Sequence, residues 1–232
     1  MAKDIALRTI CTSATITRPG SIQIIQAKKY FLSEQKFIYF CSVKQRDESK
    51  IEQIFAATLQ LVVKRGIAGI TMRQIAKAAG MATGTLYIYF RDKDELVNQL
   101  YVSCRASSVN AYFKGYNEAA SFKKGFRIVW NNILQYRLAH FDVSVFMEQS
   151  YHSPFISEST KEMNEQLFQP LYKLMDRGKA EEIFKNYDTI LLIILMMSSF
   201  TGVIKYINYH KKKTSADMIE NAFTICWDGL KK

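Results

Sequence analysis

From Ser49 onward, apolar side chains recur at three- and four-residue spacing. Ile51, Ile54, Phe55, Leu59, Leu61 and Val62, with Thr58 among them, fall where one side of a helix would. This predicts a first helix ending at Gly66, with Gly69 in the loop behind it. Thr71 then stands before MRQIAKAA as an N-cap, because its hydroxyl can accept a bond from a free amide of the first turn. Gly80 ends that short helix, and a second short one covers about 83–90. Asp92, with Glu95 three residues on, predicts the capped start of a long helix. Further helices are expected over about 92–115, 121–139, 142–150, 158–177, 188–209 and 215–230. Their breaks fall at Gly115, Ser153–Pro154, Gly178 and the Lys211–Lys213 run. Only 3 prolines and 10 glycines interrupt 232 residues, which favours helices over a turn-rich sheet. The expected fold is all-α.

Residues 1–42 differ. The stretch IQIIQAKKYFLSEQKFIYFCSV is aromatic and β-branched, with neither helical periodicity nor clean alternation. No Met occurs between Met1 and Met72, and the charged lead-in VKQRDESK begins at Val43. The change in character at Val43 suggests that 1–42 is a non-native or disordered extension. Intact mass of the natural protein tests this. The remainder divides into 43–96, with two short helices after the first, and 97–232, built of longer ones.

Two short helices joined by a tight turn need a small residue where they cross, and Ala76 supplies it. The turn needs a residue tolerant of positive φ, which is Gly80. Ile75, Ala79, Met81 and Leu86 lie at intervals that bind both helices to a third. Together these make a helix-turn-helix, whose second helix enters the DNA major groove.

Charge agrees with a polyanionic partner but does not prove one. The net charge is +11, spread as +4 over 1–42, +3 over 43–96 and +4 over 97–232. No segment is a basic block. The four cysteines, Cys11, Cys41, Cys104 and Cys226, form no CxxC pair, so neither a structural zinc nor a disulfide framework is expected. Reduced thiols point to the cytoplasm. The first twenty residues carry Lys3, Asp4 and Arg8 and no sustained apolar run, unlike a signal peptide.

The segment 71–90, TMRQIAKAAGMATGTLYIYF, resembles the tetracycline-repressor (TetR) family. Ile54, Ala56, Ala57, Gly66, Thr71, Ile75, Ala76, Ala79 and Gly80 carry the resemblance. Gly84, Thr85, Leu86, Tyr87, Tyr89, Phe90, Lys93, Leu96 and Leu100 complete it, and the string GTLYIYFRDKDELV is close to the family signature. The resemblance covers about Lys50 to Tyr101. It implies a dimeric repressor, less often an activator, that reads an inverted repeat of double-stranded DNA. A helical C-terminal domain would bind a small-molecule effector, here unidentified, and release the DNA.

On that reading Thr83, Gly84, Thr85 and Tyr87 face the groove. Thr hydroxyls reach base edges or phosphates, and their methyls can meet a thymine methyl. Tyr87 and Tyr89 can donate to phosphates, Lys93 adds charge near free amides, and Thr71 and Arg73 clamp the other flank. Ala82 stands at the usual Ser/Thr cap of the recognition helix, Thr83 replaces a commoner basic or polar residue, and Ile88 sits where His, Tyr or Arg is frequent.

Helices 188–209 and 215–230 are apolar around most of their circumference and must be buried. The resemblance implies that both pair with their twins in a homodimer, with Ser198, Ser199 and Gly202 permitting close approach. Among many aromatics in the middle region, Trp130, Phe146 and Tyr151 are the candidate pocket residues, suited to a neutral aromatic effector.

Other classes fare worse. His140, His152 and His210 have no metal-ligand spacing, and no GxSxG, Walker-type or GxGxxG motif occurs. No catalytic residue, cofactor or metal site is expected. A membrane-associated helical protein would rest on the uncharged run 189–204 and the KKK at 211–213. That run is shorter than the roughly 20 residues of a span and contains Ser198, Ser199, Thr201 and Gly202, so no membrane partner is expected. A DNA-binding protein without an effector is the other alternative.

Overall fold

The computed structural model describes residues 12–14, 25–30, 38–42, 47–151, 153–211 and 214–232. The chain divides into two compact units, Met1–Ile54 and Phe55–Lys232. In the first, β1 (Thr12–Ala14), β2 (Ile25–Tyr30) and β3 (Ile38–Ser42) form an antiparallel sheet in that order. Thr12 pairs with Ala27, and Gln26 with Ser42. β2 and β3 fall in the aromatic, β-branched stretch, a composition that favours strands. The rest of the expected 1–42 extension, and Val43, lie outside the described residues.

Among the described residues from Glu48 on, the elements are helical apart from one bridge, Phe184 to Lys231. α1 (Glu48–Arg65), α2 (Met72–Ala78) and α3 (Thr83–Tyr89) are followed by α4 (Lys93–Tyr112), α5 (Phe122–Ala139) and α6 (Phe141–Tyr151). α7 (Glu158–Ala180), α8 (Thr189–His210) and α9 (Ala216–Leu230) complete the chain.

The caps set these boundaries. Gln74 N donates to Thr71 Oγ1 at 3.3 Å, and Thr71 N donates back to Gln74 Oε1 at 3.0 Å, a full capping box. Asp92 Oδ1 accepts from Glu95 N at 2.7 Å, while Glu95 Oε2 reaches back to Arg91 N at 2.7 Å. Ser157, Asp188 and Ser215 cap α7, α8 and α9 in the same way. Gly66 and Gly80 close α1 and α2 with φ of +70° and +65°, where a Cβ would be strained.

One expected break is absent. α7 runs through Gly178 to Ala180. A Cβ on Gly178 would come 2.5 Å from Phe122 Cζ and 2.6 Å from Phe184 Cδ2. Glycine is there so that two core rings can approach the helix backbone, and the helix tolerates it.

Two apolar clusters result. In the N-terminal part, Val62, Ile70, Ile75, Leu86, Phe90 and Leu96 are buried, and Phe55 packs on Phe90 with centroids 5.8 Å apart. In the C-terminal part, aromatic rings from four regions interlock. Phe122 meets Phe184 edge-on at 4.9 Å, Phe126 lies 5.5 Å from Trp227, and Trp130 lies 5.0 Å from Phe200.

α8 buries only one face. Leu192, Ile193, Met196, Phe200, Ile204 and Ile207 point into the core. Ile190, Leu191, Ile194, Leu195, Tyr206 and Tyr209 stay exposed, as does Ile225 on α9. The helix is long and apolar enough to cross a membrane by length and composition, and 33% of its apolar window is buried. Burial all round, expected from the sequence, is therefore not met within one chain.

Candidate nucleic-acid interface

α2 and α3 are held at a fixed angle by the Gly80 turn, where Met81 N donates to Ala76 O at 3.0 Å. Ala76 and Ala79 are buried at the crossing, as small residues there must be. Leu86 and Phe90 anchor α3 to the core. The opposite side of α3 is open. Tyr87 is 52% exposed and Ile88 66% exposed, and Gly84 has nothing within 4 Å of where a Cβ would stand. Thr83 and Thr85 are partly exposed beside them, and Thr71 and Arg73 are exposed on α2.

Ala82 makes no side-chain cap, so the first amides of α3 lack that partner. Thr71 fulfils its capping role and keeps its hydroxyl on the surface.

Two residues expected at the DNA sit differently. Tyr89 is only 7% exposed, because α3 turns its face toward the core every third to fourth residue and Tyr89 follows Leu86 there. Its ring is packing, not a free arm. Lys93 points inward. Its Nζ donates to Ile67 O at 3.0 Å and Ile70 O at 3.3 Å, and lies 4.3 Å from the centre of the Phe155 ring. The ammonium thus satisfies carbonyls of the α1–α2 loop instead of facing solvent.

This loop is gripped from a second side. Gln149 Oε1, on α6, accepts from Ile67 N at 3.1 Å. Asn98 on α4 donates to Phe155 O at 2.8 Å and accepts from Ser157 N at 2.9 Å. The α1–α2 loop is therefore tied through α4 to α6 and the α6–α7 loop. Sequence reasoning missed Gln149, because its partner is a backbone amide 82 residues away. Ile88, 66% exposed, lies beside Tyr87 on the same open side, and Arg91 is exposed just past α3, bonded to Asp92.

The expected pocket residues do not converge on a cavity. Trp130 is 1% exposed and packed against Phe200 and Phe223. Phe146 is fully buried, 6.5 Å from Tyr101. The Tyr151 side chain lies outside the described residues. Two surface grooves, of about 580 and 650 Å³, are lined by Phe184 and Tyr187, and by Phe141, Tyr206 and Tyr209.

This arrangement matches known proteins along nearly all of the helical region. The profile of bacterial regulatory proteins of the tetR family matches residues 54–100. A second, the tetracyclin repressor-like C-terminal domain, matches residues 107–232. The chain belongs to the TetR family. Among curated relatives is an uncharacterized HTH-type transcriptional regulator of Haemophilus influenzae. It is 34% identical over 91 residues, covering 39% of this chain and 49% of that protein. The chain thus spans about half the length of that relative. A fatty acid metabolism regulator protein of Bacillus subtilis is 25% identical over 67% of this chain and 71% of its own length. The crystal structure of a TetR family transcription regulator from Marinobacter aquaeolei superposes with a TM-score of 0.75 at 25% identity. That match covers 81% of this chain and 98% of the other. Like these TetR-family relatives, the chain has an N-terminal helix-turn-helix and a helical C-terminal domain.

Proposed function

We propose that this regulator is a homodimer that binds an inverted-repeat operator in double-stranded DNA and is released by a small-molecule effector. The observation that carries the reading is the open side of α3, with Gly84 and Tyr87 exposed and Thr83 and Thr85 partly so on an otherwise anchored helix. Thr71 and Arg73 flank it as backbone contacts. Residues 43–96 form the DNA-binding part and 97–232 the effector-binding and dimerisation part. The protein acts by binding, not by catalysis, and works in the cytoplasm. The exposed apolar face of α8, with Ile225 of α9 exposed as well, supplies the dimer contact, which also accounts for an apolar helix that its own chain covers on one side only. The relative named a fatty acid metabolism regulator makes acyl compounds the first effectors to test.

A gel-shift titration with the DNA upstream of the protein's own gene, at two salt concentrations, tests the reading. A specific, salt-sensitive shift with dimer stoichiometry is expected. Failure of a folded dimer to select any sequence from a genomic library would overturn it.

Two substitutions probe the surface. Tyr87→Ala should weaken operator binding by about 1–3 kcal/mol, the loss typical of a direct contact. Lys93→Ala should leave the slope of affinity against salt unchanged, because its ammonium is spent on Ile67 O and Ile70 O. It should instead lower thermal stability. A salt slope reduced by about one phosphate's worth would put Lys93 on the DNA.

A further inference from the structure

The anchors of α3 decide which of its side chains face outward. Leu86 and Phe90 are fully buried, and Tyr89 is nearly so. Gly84 and Ile88 each stand two positions from Leu86, about 200° round the helix. They are therefore one turn apart and in line at the centre of the open side. Thr83, Thr85 and Tyr87 flank that line.

Gly84 answers no need inside the protein. It lies within α3 without a positive φ, and nothing stands within 4 Å of where a Cβ would be. Gly178, by contrast, makes room for Phe122 and Phe184. Glycine in a helix interior is less stable than alanine. Its use at position 84 leaves bare backbone that a surface outside the chain can approach closely. One turn on stands Ile88, 66% exposed.

The chemistry of this face is one-sided. Ala82, Thr83, Gly84, Thr85, Tyr87 and Ile88 carry no charge and no side-chain amide. In the major groove guanine is read by Arg or Lys, adenine by Asn or Gln, and cytosine by Asp or Glu. None of these residue types occurs on α3. Arg73 and Lys77 are exposed on α2, the helix that crosses the phosphate backbone in a helix-turn-helix. Arg91 follows the extended Phe90 and donates to Asp92 Oδ2 at 2.9 Å. What α3 offers the base edges is hydroxyls, which discriminate little, and one large alkyl group. The groove's partner for an alkyl group is the thymine methyl.

We propose that Ile88 is the specificity-determining residue of α3, and that each operator half-site is read through a thymine methyl packed against it. The proposal rests on the operator-binding reading and names the base pair that this surface selects. Packing the methyl on Ile88 removes apolar surface of both from water. Any other base at that position would set polar edge atoms against the alkyl group and strip their water without replacing it. The flanking hydroxyls then position the helix. The Thr83 and Thr85 methyls, which the sequence alone sets against thymine, belong to side chains only partly exposed beside this line.

Selection of duplexes from a random-sequence library by the full-length protein, followed by replacement of thymine with deoxyuridine, tests this. Deoxyuridine lacks only the methyl and pairs as thymidine does. The selected sites should share a T·A pair at the same position of each half-site. Deoxyuridine there should weaken binding about fourfold in one half-site and about fifteenfold in both, the loss for a methyl no longer buried. Ile88→Ala should weaken the thymine duplex and no longer distinguish it from the deoxyuridine duplex. The variant should fold, because Ile88 is exposed and alanine favours a helix. Parent and variant should bind a shuffled duplex alike, since phosphate contacts supply that affinity. Absence of a shared T·A pair, equal binding of thymine and deoxyuridine duplexes, or a methyl effect that persists in Ile88→Ala would overturn the proposal. In each of those cases a selected sequence remains, and the operator-binding reading stands. Failure of the folded parent to select any sequence overturns both.

Discussion

Leu195→Glu is expected to convert the dimer to monomers at micromolar concentration and to lower operator affinity by about a hundredfold or more. Leu195 is 54% exposed on the outer face of α8, in one apolar stripe with Leu191 and Ile194. In an isolated chain, glutamate there would meet water and favour the helix nearly as well as leucine, so the fold should survive. In a two-fold interface the same carboxylate would be buried opposite its twin. Desolvation and repulsion then act together. An inverted repeat is read by two linked domains, and separating them removes the gain of the second contact, worth about 10²–10⁴ in affinity. Light scattering after size exclusion reads the oligomer, far-UV circular dichroism the fold, and gel shift the affinity. A folded dimer with normal operator binding would place the interface elsewhere and leave the α8 face unexplained.

How much was legible in the sequence follows the range of the interaction. Caps and turns are local, so Thr71, Asp92 and Gly80 could be assigned from their neighbours alone. Helix spans from 92 onward agree with the structure to within a few residues, with one exception. Gly178 reads as a terminator because local preference makes it one, yet Phe122 and Phe184 need the space it leaves. The helix-turn-helix was legible because its spacing is dictated within twenty residues.

What could not be read from the sequence depends on tertiary neighbours. Lys93 looks like a phosphate contact until the α1–α2 loop offers it Ile67 O and Ile70 O. Tyr89 and Tyr87 are chemically alike and two positions apart, and only the direction of α3 makes one buried and the other exposed. The outer stripe of α8 could not be told from a core face, because apolar composition does not say which surface covers it.

Trp130→Ala is expected to cost about 3–5 kcal/mol of stability, the range for removing a large buried aromatic. Trp130 is 1% exposed and wedged between Phe200 of α8, at 5.0 Å, and Phe223 of α9, edge-on at 5.4 Å. It therefore ties α5 to the two helices that carry the exposed apolar faces. A domain is stable by only about 5–15 kcal/mol, so the variant should stand near the limit of folding at 25 °C. Urea unfolding followed by circular dichroism measures the loss, at one fixed protein concentration because dimerisation adds to apparent stability. The same experiment distinguishes core from pocket. A pocket residue gives up ligand contact with modest effect on the empty protein, whereas a core residue weakens the empty protein first. Stability within about 1 kcal/mol of the parent, well short of the cavity penalty, together with a lost effector response, would return Trp130 to the pocket. Phe146→Ala is the matched comparison: it is equally buried, but it packs on Tyr101, away from the α8–α9 aromatic cluster. Phe146→Ala should lower stability by a similar amount, about 3–5 kcal/mol.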